Sequence, residues 1–255
     1  KVSSNAEDEN SFKTKHLNIW CNSSASWIRD DVWQKNFIPN FDVKRLNTAV
    51  SYAGLDLSST TDITAYVVMS HLDGIFHITP FFWVPFENAS ARAKKDRVPY
   101  IDWINKGFIR ATQVNVIDYD EVQRDILEIN ERFNIKCTAY DRWNSAKIIT
   151  NLTNEGLELT PFGQGFGSMS APTKDIFALA LSKKLNHFDN PVLRWMVSNV
   201  DLQIDSAENV KPDKKKARER IDGVVALVMA NGIRLVCEAQ TPETSPYLAG
   251  EIRSF

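Results

Sequence analysis

Three stretches rich in apolar and β-branched residues follow one another between residues 50 and 84, and they constrain the fold more than any other feature. They cover residues 50–58, 63–70 and 75–84. The pair Asp73-Gly74 separates the second stretch from the third, and such a pair between strands is a strong signal for a two-residue hairpin turn. Because short connections join antiparallel neighbours, the sequence predicts an antiparallel meander of three strands.

After residue 85 the pattern changes to alternating helices and strands. We predict helices at 25–36, 88–96, 100–106, 118–133, 145–156, 173–186 and 217–231, and strands at 108–112, 135–141, 157–162 and 192–200. The clearest helical face is formed by Val122, Ile126, Ile129 and Phe133. This order predicts an α/β fold with a central mixed sheet that begins with the antiparallel three-strand meander and is flanked by helices, as in ribonuclease H-like folds.

Composition excludes several classes of protein. No apolar run approaches the roughly 20 residues of a membrane-spanning helix, the three cysteines are far apart, and the four histidines show no HExxH spacing. A disulfide framework and a zinc site are therefore not expected. The formal net charge is only −2, so a nucleic-acid partner would have to be held by a local basic patch.

Three acidic residues occupy positions where a structural role alone is hard to justify. Asp56 lies between Leu55 and Leu57 inside a predicted buried strand, although a buried carboxylate needs a positive partner. Asp141 ends the strand at 135–141, and Asp222 begins the most apolar helix. If they converge, their repulsion would be relieved by hard divalent cations, so we predict a site for two Mg²⁺ or Mn²⁺ ions.

Each of these acids also has a purely structural interpretation. Asp56 could cap a turn with residues 58–61, Asp141 could pair with Arg142, and Asp222 could simply favour the start of a helix. Other acids could take a place in the site, and Asp201 is the first candidate among them; the others are Asp62 and Asp205.

Basic residues surround two of the acids. Lys214, Lys215, Lys216, Arg218 and Arg220 precede Asp222, while Arg142 and Lys147 flank Asp141. We predict that these residues contact DNA phosphates, although such a run is also typical of a solvated loop. The glycine-rich segment 163–168 lacks the GK[ST] ending of a phosphate-binding loop and could either approach a substrate backbone or be a simple loop.

A set of ordered motifs resembles the carboxy-terminal part of the large terminase subunit of tailed bacteriophages. The motifs are KTKHLNIWCNSSASWI, GLDLSSTTDITA, YDRW, PFGQGFGSMSAPTK, NPVLRWMVSN and ERIDGVVALVMA. The resemblance covers about residues 15–232. It implies a ribonuclease H-like nuclease domain at 46–232, preceded by a linker remnant and leading helix at 1–45 and followed by a tail at 233–255.

The resemblance also implies a function. Domains of this family cut concatemeric viral double-stranded DNA when packaging into a procapsid begins and ends, and their acidic triad corresponds to Asp56, Asp141 and Asp222. The implied partners are DNA, the portal or procapsid, the small terminase subunit and an amino-terminal ATPase domain, and the implied location is the host cytoplasm. No GxxxxGK[ST] motif occurs here, so we assign no ATPase activity to this chain.

Two other functions fit the same residues. A transposase or junction resolvase of the superfamily would share the acids but require a defined DNA structure. A non-catalytic DNA clamp or motor-docking module would use the acids only structurally.

Overall fold

A computed structural model describes residues 27–58, 63–112, 116–142, 146–217 and 219–240, without the side chains of residues 88 and 91. The predicted linker before residue 27, the candidate acid Asp62, the basic residue Arg218 and the predicted tail beyond residue 240 lie outside the described residues.

The predicted meander is confirmed. Strands β1 (Val50–Asp56), β2 (Thr64–Leu72) and β3 (Ile75–Pro85) pair antiparallel in sequence order. Between β2 and β3, Asp73 and Gly74 have φ values of 53° and 77°. Two successive residues with positive φ are what a tight hairpin turn matched to the strand twist requires, and this explains the Asp-Gly pair.

The remaining strands extend this meander into a mixed sheet. They are β4 (Arg110–Thr112), β5 (Asn134–Tyr140), β6 (Leu159–Pro161) and β7 (Leu185–Asn186). Within the described residues the order is β4-β3-β2-β1-β5-β6, with β7 beside β3. Because β5 runs parallel to β1, the carboxyl ends of these two strands lie at the same edge of the sheet.

Helices cover the sheet, and a small hairpin lies beside it. The helices are α1 (Asp30–Gln34), α2 (Phe86–Asp96), α3 (Tyr100–Asn105), α4 (Tyr119–Arg132), α5 (Ala146–Asn154), α6 (Phe166–Leu181), α7 (Pro191–Ser198) and α8 (Asp222–Gln240), with a 3-10 helix at Val43–Thr48. The hairpin consists of β8 (Leu202–Ile204) and β9 (Val210–Pro212). In the described part of the chain, no helix has the length and apolarity needed to cross a membrane.

The sheet separates two hydrophobic cores. On one face Tyr52 and Val67 belong to a core shared with α8. On the other face Ala53 and Leu55 belong to a core shared with α4 and α5. This division follows from the period of two along a strand. The predicted apolar face of α4 is confirmed, since its members are all buried in the second core: Val122, Ile126, Ile129 and Phe133.

Helix α8 lies directly against β1 because Gly54 leaves room for it. A Cβ atom at Gly54 would lie 2.0 Å from the carbonyl oxygen of Ala226 and 2.8 Å from the backbone nitrogen of Ala230. The side-chain-free surface of Gly54 therefore sets the distance between the central strand and the helix that carries Asp222.

One predicted element was of the wrong type, and two predicted helices have different bounds. The predicted strand at 192–200 is helix α7, because the Asn190 side chain accepts the N–H groups of Val192 and Leu193 and Pro191 occupies the first turn. The predicted helix at 173–186 begins earlier, at Phe166, and ends at Leu181, so that half of the predicted glycine-rich loop is helical. The last helix begins at Asp222 and continues to Gln240, nine residues beyond its predicted end.

Candidate active site

Strands β1 and β5 bring Asp56 and Asp141 to the same edge of the sheet. Asp56 is the last residue of β1 and is 3% exposed. Leu55 pairs with Tyr140 in the parallel ladder, so Asp56 and Asp141 each directly follow a paired residue on neighbouring strands. In open α/β sheets this edge is where ligands commonly bind.

Helix α8 brings the third acid to the same edge. Gly54 and Asp56 face α8 because they are two residues apart on one strand. Asp222 begins α8 one helical turn before Ala226, the residue in closest contact with Gly54. Its side chain is 14% exposed, and the amino-terminal end of a helix favours a carboxylate.

The ammonium group of Lys214 lies among these acids. Its Nζ atom is 2.7 Å from Oδ2 of Asp56 and 3.8 Å from Oδ1 of Asp222. It also interacts electrostatically with Asp141. Burial raises the pKa of Asp56, and Lys214 acts in the opposite direction. Although burial lowers it, the pKa of Lys214 is raised overall by the attraction of Asp56 and Asp222.

We call Asp56, Asp141, Asp222 and Lys214 the acidic cluster. Gln164 lies beside it and was not predicted from the sequence. Its Nε2 atom donates to Oδ1 of Asp56 at 3.3 Å. The sequence signal was the segment 163–168, which we interpreted either as an approach to a substrate backbone or as a simple loop. Gly165 ends the non-helical part of that segment, because α6 begins at Phe166. Gln164 therefore lies in the short segment just before α6, beside Asp56.

Hydrogen bonds from its backbone to the Asp213 side chain hold the loop that carries Lys214. The carboxylate of Asp213 accepts the N–H groups of Lys215 and Lys216 at 2.9 and 3.2 Å. On the preceding strand, β9, Lys211 donates to the carbonyl oxygen of Gln164 at 3.2 Å. The bonds to Asp213 fix the backbone of the loop beside Asp56 without using the Lys214 side chain.

The other predicted basic residues lie in different environments. Lys215, Lys216 and Arg142 are exposed. Lys147 is also exposed and pairs with Asp120, at 3.4 Å. Arg220 is partly buried and interacts electrostatically with Tyr100. Lys214, in contrast, contacts two of the predicted acids, Asp56 and Asp222.

Two of the substitute acids can also be placed. Asp205 accepts backbone N–H groups of Ala207 and Asn209 in the turn of the β8–β9 hairpin, so its carboxylate has a structural role. The carbonyl oxygen of Asp201 accepts the N–H of Asp213 at 2.9 Å, which places Asp201 beside the loop that carries Lys214.

The donor set suits a hard divalent cation. Carboxylate oxygens are the ligands that Mg²⁺ and Mn²⁺ prefer, and three carboxylates with one ammonium carry a formal charge of −3 + 1 = −2. The Lys214 ammonium already places a positive charge in the cluster. As the side chains stand, no group of three or more His, Cys, Asp or Glu residues in the described ranges is arranged to hold a metal ion.

Comparison with known proteins identifies relatives of this chain. The family model described as "Terminase large subunit, endonuclease domain" matches residues 2–238. The large terminase subunit of Enterobacteria phage HK97 is 36% identical over 229 residues, which cover 88% of this chain and 44% of that protein. Protein YmfN of Escherichia coli K12 is 27% identical over 251 residues, which cover 94% and 55%. The chain thus spans about half the length of these relatives.

Solved structures give the same result for the fold. The crystal structure of the HK97 large terminase matches with a TM-score of 0.75 and 36% identity, covering 89% of this chain and 47% of that one. The large terminase nuclease of thermophilic phage G20c with bound cobalt matches with a TM-score of 0.53 and 11% identity, covering 82% and 97%. The predicted ribonuclease H-like α/β class is therefore confirmed.

Proposed function

Because this chain belongs to the family of terminase large-subunit endonuclease domains, we propose that it is a metal-dependent endonuclease that cuts concatemeric viral double-stranded DNA during genome packaging. The observation that supports this most is the meeting of β1, β5 and α8 at one edge of the sheet. At this edge Lys214 contacts Asp56 and Asp222 and interacts electrostatically with Asp141, which supports a shared role for the three acids.

In this proposal Asp56, Asp141 and Asp222 are the catalytic residues and would hold two divalent ions, Mg²⁺ or Mn²⁺. When bound, such ions supply an activated water molecule and offset the charge that develops on a phosphodiester. The large terminase nuclease of phage G20c was solved with cobalt bound. For this chain, the proposed metal binding is argued from the positions of its own three carboxylates.

The chain's own residues prepare the site in two ways. Burial of Asp56 at the end of β1 fixes its carboxylate and excludes bulk water from one side of it. Gln164 holds Oδ1 of Asp56 and so orients the carboxylate plane. A fixed, preorganised ligand loses less freedom when a cation binds, which favours binding in one geometry.

DNA would be held by basic residues near the same edge. We propose that Lys214, Lys215, Lys216, Arg218, Arg220, Arg142 and Lys147 contact phosphates, with the exposed Lys215 and Lys216 as the first candidates. Such contacts position the duplex without reading its sequence, which agrees with a nuclease of little sequence preference. By family, the further partners would be the portal or procapsid, the small terminase subunit and an ATPase domain, in the cytoplasm of the host.

The substitution Asp56→Asn tests the proposed activity. We expect plasmid cleavage in Mn²⁺ to fall at least about a hundredfold, because one charged ligand is lost. The matched control is Asp102→Asn, since Asp102 is an exposed acid that pairs with Lys106, four residues on, at 3.0 Å. Circular dichroism and thermal unfolding would verify that both variants fold. Full cleavage by folded Asp56→Asn protein would contradict the proposal.

The alternative functions give different results in simple assays. A transposase or resolvase would cut branched or end-specific DNA far better than random linear duplex. A non-catalytic clamp would leave all DNA intact, and added divalent ions would change neither its thermal stability nor its DNA. Cleavage of random linear duplex in Mn²⁺ would argue against both alternatives.

A further inference from the structure

Both carboxylate oxygens of Asp56 are engaged by side chains of this chain. Lys214 Nζ lies 2.7 Å from Oδ2, and Gln164 Nε2 lies 3.3 Å from Oδ1. The same ammonium group lies 3.8 Å from Oδ1 of Asp222. It therefore lies between two of the proposed metal ligands, in the space where a bridging cation would bind.

We propose that Lys214 is a built-in counter-ion of the acidic cluster, and that a divalent ion must displace its ammonium group in order to bind Asp56 and Asp222. This inference rests on the proposed function. A Mg²⁺ ion binds carboxylate oxygens at about 2.0–2.1 Å, so an ion joining these two residues would overlap the ammonium group. Two cations so close together also repel each other strongly in a partly enclosed site.

The Lys214 side chain is able to leave without unfolding of the site. Although its ammonium group touches the enclosed Asp56, 41% of the side chain is exposed to solvent. Its loop is held through Asp213 by backbone bonds that do not involve the Lys214 side chain. Rotation of a flexible four-carbon stem is therefore sufficient to move the charge outwards.

This arrangement gives Lys214 opposite effects in two states of the protein. Without divalent ions, its ammonium group offsets the repulsion of the carboxylates and stabilises the fold. When divalent ions are present, the same group competes with them. A purely structural ion pair would show only the first effect, because its loss would weaken both the fold and any site built on it.

The test compares Lys214→Met with Lys215→Met in the absence of DNA. Both variants remove one positive charge from the same exposed loop, but it is the Lys214 ammonium group that contacts Asp56 and Asp222. Mn²⁺ affinity is measured by isothermal titration calorimetry, and the unfolding temperature is measured in EDTA and in excess Mn²⁺. We expect Lys214→Met to bind Mn²⁺ about tenfold more tightly than the wild type and to unfold at a lower temperature in EDTA. Lys215→Met should differ little from the wild type in both measurements.

The outcomes separate this inference from the proposed function. Unchanged or weaker Mn²⁺ affinity in Lys214→Met, with the wild type still binding Mn²⁺ through Asp56, overturns the displacement and leaves the nuclease intact. Failure of the wild type and of every variant to bind Mn²⁺ overturns both proposals. If Lys214→Met does not fold, Lys214→Gln is measured instead, and Lys214→Arg, which keeps the charge, should not gain affinity.

Discussion

At the scale of single residues, His77 is a buried imidazole whose protonation state is fixed by its neighbour. The Oδ1 atom of Asn186 accepts the N–H groups of Ile38 and Phe188, both at 3.2 Å. The amide NH₂ group of Asn186 must therefore face Nδ1 of His77, which lies 3.2 Å away. Nδ1 has to act as an acceptor, and this requires the neutral ring. Burial lowers the pKa of His77 to about 4.

This environment predicts that the fold loses stability as the pH falls. In the unfolded chain His77 has a pKa of about 6.5, so between about pH 6.5 and pH 4 the unfolded state binds a proton that the folded state does not. We expect His77→Gln to lose less stability than the wild type between about pH 7 and about pH 5, measured as the urea midpoint. The control is His71→Gln, at an exposed histidine. Equal losses in His77→Gln and the wild type would contradict the argument, although buried His187 contributes in the same direction.

Single residues also show which parts of the candidate site could be predicted from the sequence. The burial of Asp56 and its need for a positive partner could be predicted, because an acid stood between two leucines of an apolar strand. Its partner could not be predicted. Lys214 is one of several lysines in a loop, and the folded path of that loop brings this one to Asp56. Gln164 was missed for the same reason.

At the scale of secondary-structure elements, the distance between β1 and α8 determines where Asp56 and Asp222 lie relative to each other. Gly54 is buried against backbone atoms of α8, and backbone cannot move aside as a flexible side chain can. Any side chain at this position must push the helix away from the strand. The acidic cluster therefore depends on a glycine that has no chemical role.

The substitution Gly54→Ala tests this dependence. Its Cβ atom would lie 2.0 Å from the Ala226 carbonyl oxygen. We expect a loss of about 3 kcal/mol in the free energy of unfolding, because overpacking against backbone is poorly relieved, together with a loss of DNA cleavage. The control is Gly167→Ala in α6, where an added Cβ meets nothing within 4 Å. That control should keep or slightly raise stability, as alanine favours helices. A stable, active Gly54→Ala protein would contradict the prediction.

Elements whose apolar residues recur with a clear period could be predicted from the sequence. Elements too short to show such a period could not. Helix α4 buries one face against the sheet, so its apolar spacing was visible in the sequence. Helix α7 spans only eight residues, fewer than the window of about 11–18 residues in which a helical period becomes clear. The residues that indicated a helix here were the capping residue Asn190 and the following Pro191. The short strands β8 and β9 carry too few residues to show any pattern.

At the scale of the whole molecule, charge is distributed unevenly over a chain whose net charge is close to zero. Lys215 and Lys216 lie beside the edge of the sheet where Asp56 ends β1. Lys183 and Lys184 lie at the other end, because the carbonyl oxygen of Lys184 accepts the N–H of Phe76 near the start of β3. Both pairs are exposed. We therefore expect the first pair, and not the second, to contact DNA that reaches the acidic cluster.

DNA binding should therefore depend on the position of lysine pairs and not on their number. We expect the double substitution of Lys215 and Lys216 by Met to weaken binding to linear duplex DNA and to reduce the slope of log K against log salt by about 2, one unit for each lost phosphate contact. The same double substitution at Lys183 and Lys184 changes the net charge equally, and it should leave the slope unchanged. Fluorescence anisotropy in EDTA measures binding without cleavage. Equal effects of the two double variants would mean that the net charge of the molecule attracts DNA. The Asp56 edge would then have no special role in holding the duplex, even if the acids there still cut it.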